Sequence, residues 1–331
     1  MATTFKTFLN NDIASSRTML HEAIPITGSL VSGTYGGNTV ALGSEPHIKS
    51  YSHGMFQSVY DYPYLSSSAN HIFDIAIGLS PSGSLYGSTT SQKSKKMNVY
   101  NQMAQLLMGH DENGIIREFD EDGNIIAGGT KLQECFFLNF SRLLAKDEIK
   151  KGSFELELGV QREKSQIIGN TCKKRIKLTD ASGSDGFFVN SPAGEYGVLY
   201  AQTSDSGGES GHGGALLGIE GFQVGTRDRN PPCGLIFYQA GIAVISGSVF
   251  NDTTGSAHGS GGGILHSSNT DSSNLTAQTG DYAGFDFISG STVDECANRI
   301  RNRIYNIQFN NTTELNSSIY FCRVNHNDFN Y

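Results

Sequence analysis

The stretch Gly234–Phe250, GLIFYQAGIAVISGSVF, is the longest near-continuous apolar run in the chain, and Pro231-Pro232 stiffens the approach to it. Gly234, Gly241 and Gly247, together with the β-branched residues, make it a poor helix, and it carries no 3.6-residue stripe. It implies one fully buried strand, or two strands meeting near Gln239-Ala240-Gly241. Gly241 then marks a bulge or a close backbone approach. The middle of the chain is a β core, and none of its side chains is chemically reactive.

Composition narrows the class further. Only 17% of the 331 residues are charged, while Gly contributes 40, so Ser, Thr, Asn and Gly stand where charge usually does. Such chains are β-rich, turn-rich and loop-heavy. A net charge of −8 disfavours nucleic acid or an anionic membrane as the main partner. The five cysteines (Cys135, Cys172, Cys233, Cys296 and Cys322) show no C-x-x-C spacing. Neither a zinc knuckle nor a disulfide framework is expected, and the thiols should be reduced and mostly buried. The opening MATTFKTFLNNDIASS has no basic region followed by an apolar core, so a secretory signal is not expected. No apolar run approaches the roughly 18 residues that a membrane-spanning helix needs. The expectation is a protein made in a cytosol that stays there or leaves inside a particle.

Four segments follow from the patterning. Residues 1–50 read as an extended N-terminal arm, ordered by contact with another chain. Residues 51–150 read as an α/β segment with two helices and a hairpin. Its first part, MFQSVYDYPYLSSS, sets Phe56, Tyr60, Tyr62 and Tyr64 around Pro63, as a packed corner rather than an exposed anchor. HIFDIAIGLS alternates Ile72, Asp74, Ala76 and Gly78 against Phe73, Ile75 and Ile77, which predicts a strand. A helix is expected with Ser94 as N-cap, Met97, Tyr100, Met103 or Ala104, and Leu107 on one face, and Gly109 closing it. Asn113-Gly114 and Asp122-Gly123 are turn dipeptides and favour a hairpin. A calcium loop is the weaker reading, because Gly123 follows Asp120 and Asp122 too soon. ECFFLNFSRLLAKDEI, with Phe136, Phe137, Phe140, Leu143 and Leu144, predicts a second helix.

Residues 151–290 read as a β-rich core with two Gly/Ser-rich loops, Ser204–Gly214 and Asn251–Asp281. In SFELELGV, Phe154, Leu156 and Leu158 face inward and Glu155 and Glu157 form a solvated face. KRIKLTD and GFFVNSPAGEYGVLYA continue the strand pattern, with SPAGE as a turn, and GALLGIEGFQV is a further candidate. Residues 291–331 read as a C-terminal helix and hairpin. Ser291 and Asp294 resemble a capping box, and Val293, Ala297, Ile300 and Ile304 form a stripe opposite Arg299, Arg301 and Arg303, expected to be solvated. IYNIQF and SIYFCRV are expected to pair around NNTTELNS. The fold class is therefore α+β and β-rich: an antiparallel sheet or sandwich core with about three helices.

The motifs of chemistry are missing from the sequence. There is no G-x-S-x-G, no phosphate-cradling P-loop, no G-x-G-x-x-G opening a helix and no H-E-x-x-H. His212, His258 and His266 fall in the Gly-rich loops, where ordinary polar loop residues are a better reading than metal ligands. No carboxylate pair is singled out for glycan hydrolysis. No catalytic, cofactor-binding or metal residue is assigned, no cofactor is expected, and an enzyme is not expected.

Four longer stretches carry a resemblance: LHEAIPITGSLVSGTY (Leu20–Tyr35), FQSVYDYPYLSSSANHIFDI (Phe56–Ile75), FYQAGIAVI (Phe237–Ile245) and NNTTELNSSIYFCRVNHNDFNY (Asn310–Tyr331). They resemble virion structural proteins of contractile-tailed bacteriophages, especially phages of marine bacteria and cyanobacteria. The resemblance implies a tail or baseplate component in several copies per particle. Its expected partners are other tail and baseplate proteins, with assembly in the host cytoplasm. A neck, sheath-proximal or head-decoration protein is the first alternative. A carbohydrate-binding receptor protein, with Tyr60–Tyr64 stacking on sugar rings, is the second. In such proteins the text continues past the equivalent of Tyr331, so a shortened form whose last strands need a neighbouring subunit is a further expectation. The Gly/Ser-rich loops take no part in the resemblance, which transfers no site residue.

Overall fold

In the computed structural model, which describes residues 8–26, 46–83, 90–124, 128–159, 175–180, 187–202, 232–247, 292–301 and 304–322, thirteen strands join one antiparallel sheet. They are β1 (Ile13–Pro25), β2 (Ile48–Ser50), β3 (Gln57–Tyr60), β4 (His71–Leu79), β5 (Glu134–Phe140), β6 (Glu148–Ile149), β7 (Glu155–Gly159), β8 (Arg175–Thr179), β9 (Phe187–Ser191), β10 (Gly194–Gln202), β11 (Pro232–Phe237), β12 (Ile242–Ser246) and β13 (Ile304–Tyr320). Their order is β1-β13-β7-β8-β10-β11-β12-β5-β4-β3-β2, with β6 on β13 and β9 on β10. The helices are α1 (Ser91–Leu107), the single turn α2 (Arg142–Ala145) and α3 (Val293–Arg301). The predicted β-rich α+β class is what the chain adopts.

The central run forms β11 and β12, joined by a tight turn in which Gly241 takes φ +68° and donates its N–H to the Phe237 carbonyl at 2.9 Å. Side chains alternate between two cores. Ile236, Ala243 and Ile245 join one, and Leu235, Phe237, Ile242 and Val244 join the other. Burial on both faces explains why the run reads as continuously apolar.

The sheet curls. β5 and β13 lie six steps apart in strand order, yet the rings of Phe140 and Phe309 stand 5.1 Å apart, and Phe140 also meets Phe154 at 5.9 Å. Only a sheet that bends back on itself brings those strands together, and the first core fills its concave side with Val293, Cys296, Ala297 and Ile300 of α3. A polar latch holds the seam. Asp180, buried just after β8, accepts hydrogen bonds from Gly152 N–H (2.6 Å), Phe154 N–H (3.0 Å) and the Tyr238 hydroxyl (2.9 Å).

Helix α1 covers the other core. Thr90, not Ser94, caps it, accepting from Lys93 N–H at 3.3 Å, and Gly109 closes it at φ +75° as expected. The buried face is Lys96, Val99, Tyr100, Ala104 and Leu107, so Met97 and Met103 are only half-buried. The Tyr100 hydroxyl donates to the Leu132 carbonyl at 2.8 Å and accepts from Phe119 N–H at 3.3 Å, fixing the 110–131 segment beneath the helix. Gly114 (φ +79°) and Gly123 (φ +77°) do form turns, each followed by one isolated bridge rather than a hairpin ladder.

Several expectations fail. ECFFLNF is the strand β5, and only Arg142–Ala145 is helical. The run is apolar throughout because both faces of β5 are buried, which from sequence imitates a wide helical face. IYNIQFNNTTELNSSIY is one strand, β13, because β1 pairs with it across the polar middle where a turn was expected. The capping box is Thr292 with Glu295: Thr292 Oγ1 accepts from Glu295 N–H at 3.1 Å and Glu295 Oε2 from Thr292 N–H at 2.8 Å. Ile304 has left the helix for β13, and Arg301 is buried rather than solvated, bonded to Asn298 Oδ1 at 2.9 Å. Glu157 is also buried, while Glu155 pairs with Lys177, so this strand face is charge-paired rather than simply solvated. The 1–50 arm is partly β1, ordered by its own chain. GALLGIEGFQV and both Gly/Ser-rich loops lie outside the described residues.

Candidate functional site

Two surfaces stand out, and the first is a ribbon. β1 pairs with β13 over thirteen residues, from Ile13 opposite Tyr320 to Pro25 opposite Gln308. Near its root β13 also holds β7 and β6, the latter as far as Thr312. Glu314 N–H still reaches Asp147 Oδ2 at 2.8 Å. Beyond that point, among the described residues, the two strands run on with only each other, about 20 Å at the usual rise per residue.

Directly paired residues share a face, so the register sorts the side chains. Ile24 opposite Phe309, Leu20 opposite Thr313, Thr18 opposite Leu315 and Ala14 opposite Ile319 lie on one side. Phe309 belongs to the concave core and Ile24 packs against it. The core-facing side of the sheet therefore continues along the ribbon, where among the described residues nothing covers it: Leu20 is 51% exposed, Leu315 47% and Ile319 55%. The other side carries the Arg17–Glu314 ion pair, Asn316 and His21 beside exposed Ile13, Met19 and Tyr320. At the far end Phe8 and Tyr320 meet with ring centroids 5.8 Å apart. Among the described residues β1 is also an edge of the sheet, with a row of backbone groups that no described strand pairs.

The second surface is a groove of about 370 Å³ between α1 and the strands β3, β4 and β5. Its walls are Met55, Phe56, Val99, Met103 and Phe137, with Asp74 and Asn139 adjacent on paired strands and Gln102 and His53 toward the opening. Asp74 is held by two donors, the Ser58 hydroxyl at 2.5 Å and His71 Nε2 at 2.7 Å, both on Oδ1. The Tyr51 hydroxyl lies 3.2 Å from the Ser58 hydroxyl. The rings of Tyr51, His53 and Phe56 pack within about 5 Å of one another. This order, with the carboxylate between serine and histidine, does not activate Ser58, because its proton goes to Asp74 and not to an imidazole.

No protein-family model, curated protein or solved structure matches this chain.

The aromatic corner proposed from sequence is mostly packed: Tyr60 meets Tyr64 at 6.3 Å and His71 at 5.6 Å, and of the three tyrosines only Tyr62 is fully exposed. His212, His258 and His266 lie outside the described residues. Among the described residues no three His, Cys, Asp or Glu side chains gather as a metal site, and no helix is long and apolar enough to cross a membrane. Asp120, weighed for calcium, is buried in an ion pair with Lys131. Cys135, Cys233 and Cys296 are buried and Cys322 is exposed; burial pushes the Cys135 thiol well up, away from reactivity. The sequence reading missed the groove. Its one signal was Asp74, a carboxylate in the middle of an otherwise apolar strand.

Proposed function

We propose that this chain is a structural subunit of a contractile bacteriophage tail, placed in the baseplate, that acts by docking to other virion proteins in many copies. The ribbon carries the reading. A two-stranded ribbon with an uncovered apolar side is marginal in water by itself, and a neighbouring subunit laid on that side or added along the β1 edge would complete it. Repetition around a tail multiplies weak contacts into durable ones. The resemblance of the β1, β4, β12 and β13 stretches to tail proteins supplies the virion setting.

The test is cryo-electron microscopy of purified particles, with wild type and a Leu20→Lys/Leu315→Lys double variant. Density for this chain at the distal tail, with β1 and β13 against another subunit and the variant lost from particles, supports the proposal. Absence of the chain from particles, or normal incorporation of the variant, overturns it.

A further inference from the structure

The groove beside α1 is built around a charge. Asp74 is fixed from behind by Ser58 and His71, and both bonds end on Oδ1. Among the described residues no donor meets Oδ2, and the side chain keeps 24% of its surface open. A carboxylate oriented by its neighbours, with one oxygen left over, stands against walls of Met55, Phe56, Val99, Met103 and Phe137. The cavity volume of about 370 Å³ is that of a small-ligand site, and apolar walls with a few placed polar groups are the usual composition of one.

We infer that this groove binds an organic cation: an ammonium group carried on an apolar body, its charge toward Asp74 and its body against the methionines and Phe56. An anion would meet the Asp74 charge at close range. A neutral apolar ligand would fill the walls but strip Oδ2 of water and put nothing in its place. The aromatic cluster beside the groove already holds an ammonium: Tyr51, packed on the lining residues His53 and Phe56, has Lys49 Nζ 4.9 Å from its ring centre. Asn139, beside Asp74, adds an amide oxygen that can accept a second ammonium hydrogen. The same chemistry fits a free amine or the side chain of a lysine on another protein.

The experiment is a titration of the whole chain followed by the methyl resonances of Met55 and Met103. Three probes of one shape are used: 2-phenylethylammonium, neutral 2-phenylethanol and anionic 3-phenylpropanoate. The ammonium probe should bind with Kd near or below about 1 mM, and at least about tenfold more tightly than the alcohol. Asp74→Asn keeps an acceptor for Ser58 and His71 and removes only the charge, so it should erase that preference. Met103→Trp, which fills the groove, should abolish binding with far-UV circular dichroism unchanged. Tighter binding of N-acetyl-lysine amide than of the phenylethyl probe assigns the site to a protein side chain; the reverse assigns it to a free amine. Silent methyl signals up to about 10 mM ammonium probe, equal affinity for all three probes, or a preference that survives Asp74→Asn would overturn the assignment. None of these outcomes depends on the ribbon or on particle assembly.

Discussion

Asp180→Ala is expected to loosen the seam that closes the sheet. The carboxylate accepts from Gly152 N–H, Phe154 N–H and the Tyr238 hydroxyl, and Phe154 is one of the rings packed between β5 and β13. Gly152 lies near solvent, so its N–H can turn to water, but Phe154 and Tyr238 are fully buried. Two orphaned buried donors cost about 1–3 kcal/mol each. Part of that is offset because the carboxylate's own burial is relieved, leaving a net loss of about 3 kcal/mol, a large fraction of a typical folding free energy. Tyr238→Phe removes one donor and leaves the carboxylate two, so it should cost about 1–2 kcal/mol. Urea unfolding at constant m-value reads both changes.

The pH dependence gives an independent check. Burial pushes the Asp180 carboxyl above the ordinary aspartate range, and the three donors only partly pull it back. The folded state thus binds this proton more tightly than the unfolded chain. The stability from this group is fully present below the unfolded value, about 3.9, and is lost as pH rises through the folded one. Asp180→Asn should therefore fall further behind wild type as pH is lowered from 7 toward 4. A loss below about 1 kcal/mol for Asp180→Ala, or a Tyr238→Phe change as large, would refute the latch.

Two other expectations are local. Gly78→Ala places a Cβ 2.8 Å from both Phe137 Cε2 and Tyr100 Cβ, so thermal unfolding should show about 1–3 kcal/mol of lost stability; an unchanged Tm would mean that α1 rides more loosely on β4 than described. Thr292→Ala removes one half of the α3 capping box and should cost about 1 kcal/mol in the same assay, whereas Asp294→Ala should leave the cap bonds in place.

The sequence was legible where one physical cause set the pattern. β4 and β7 alternate because neighbouring residues face different surroundings, and the β11–β12 turn announced itself through Gly241. β5 was misread because burial on both faces erases the alternation that separates strand from helix. β13 was misread because Asn310–Ser317 looks like a turn until the pairing with β1 is known, and that pairing is encoded in neither segment alone. The groove was hidden for a similar reason. Asp74 is visible as an oddity on its strand, but Met103 comes from a helix, Phe137 from a strand misread as a helix, and Met55 from a connection.

The ribbon also sets a clock on synthesis. Arg17 and Glu314, which meet across it, are 297 positions apart in sequence. At ordinary translation rates β1 waits about 15–60 s after it emerges before its partner strand exists. For that interval β1 lacks the strand it pairs with, while the strands between it and β13 are already free to pair. The ribbon can close only after the strands between β1 and β13 have been made, so β1 is open to chaperones before it is paired.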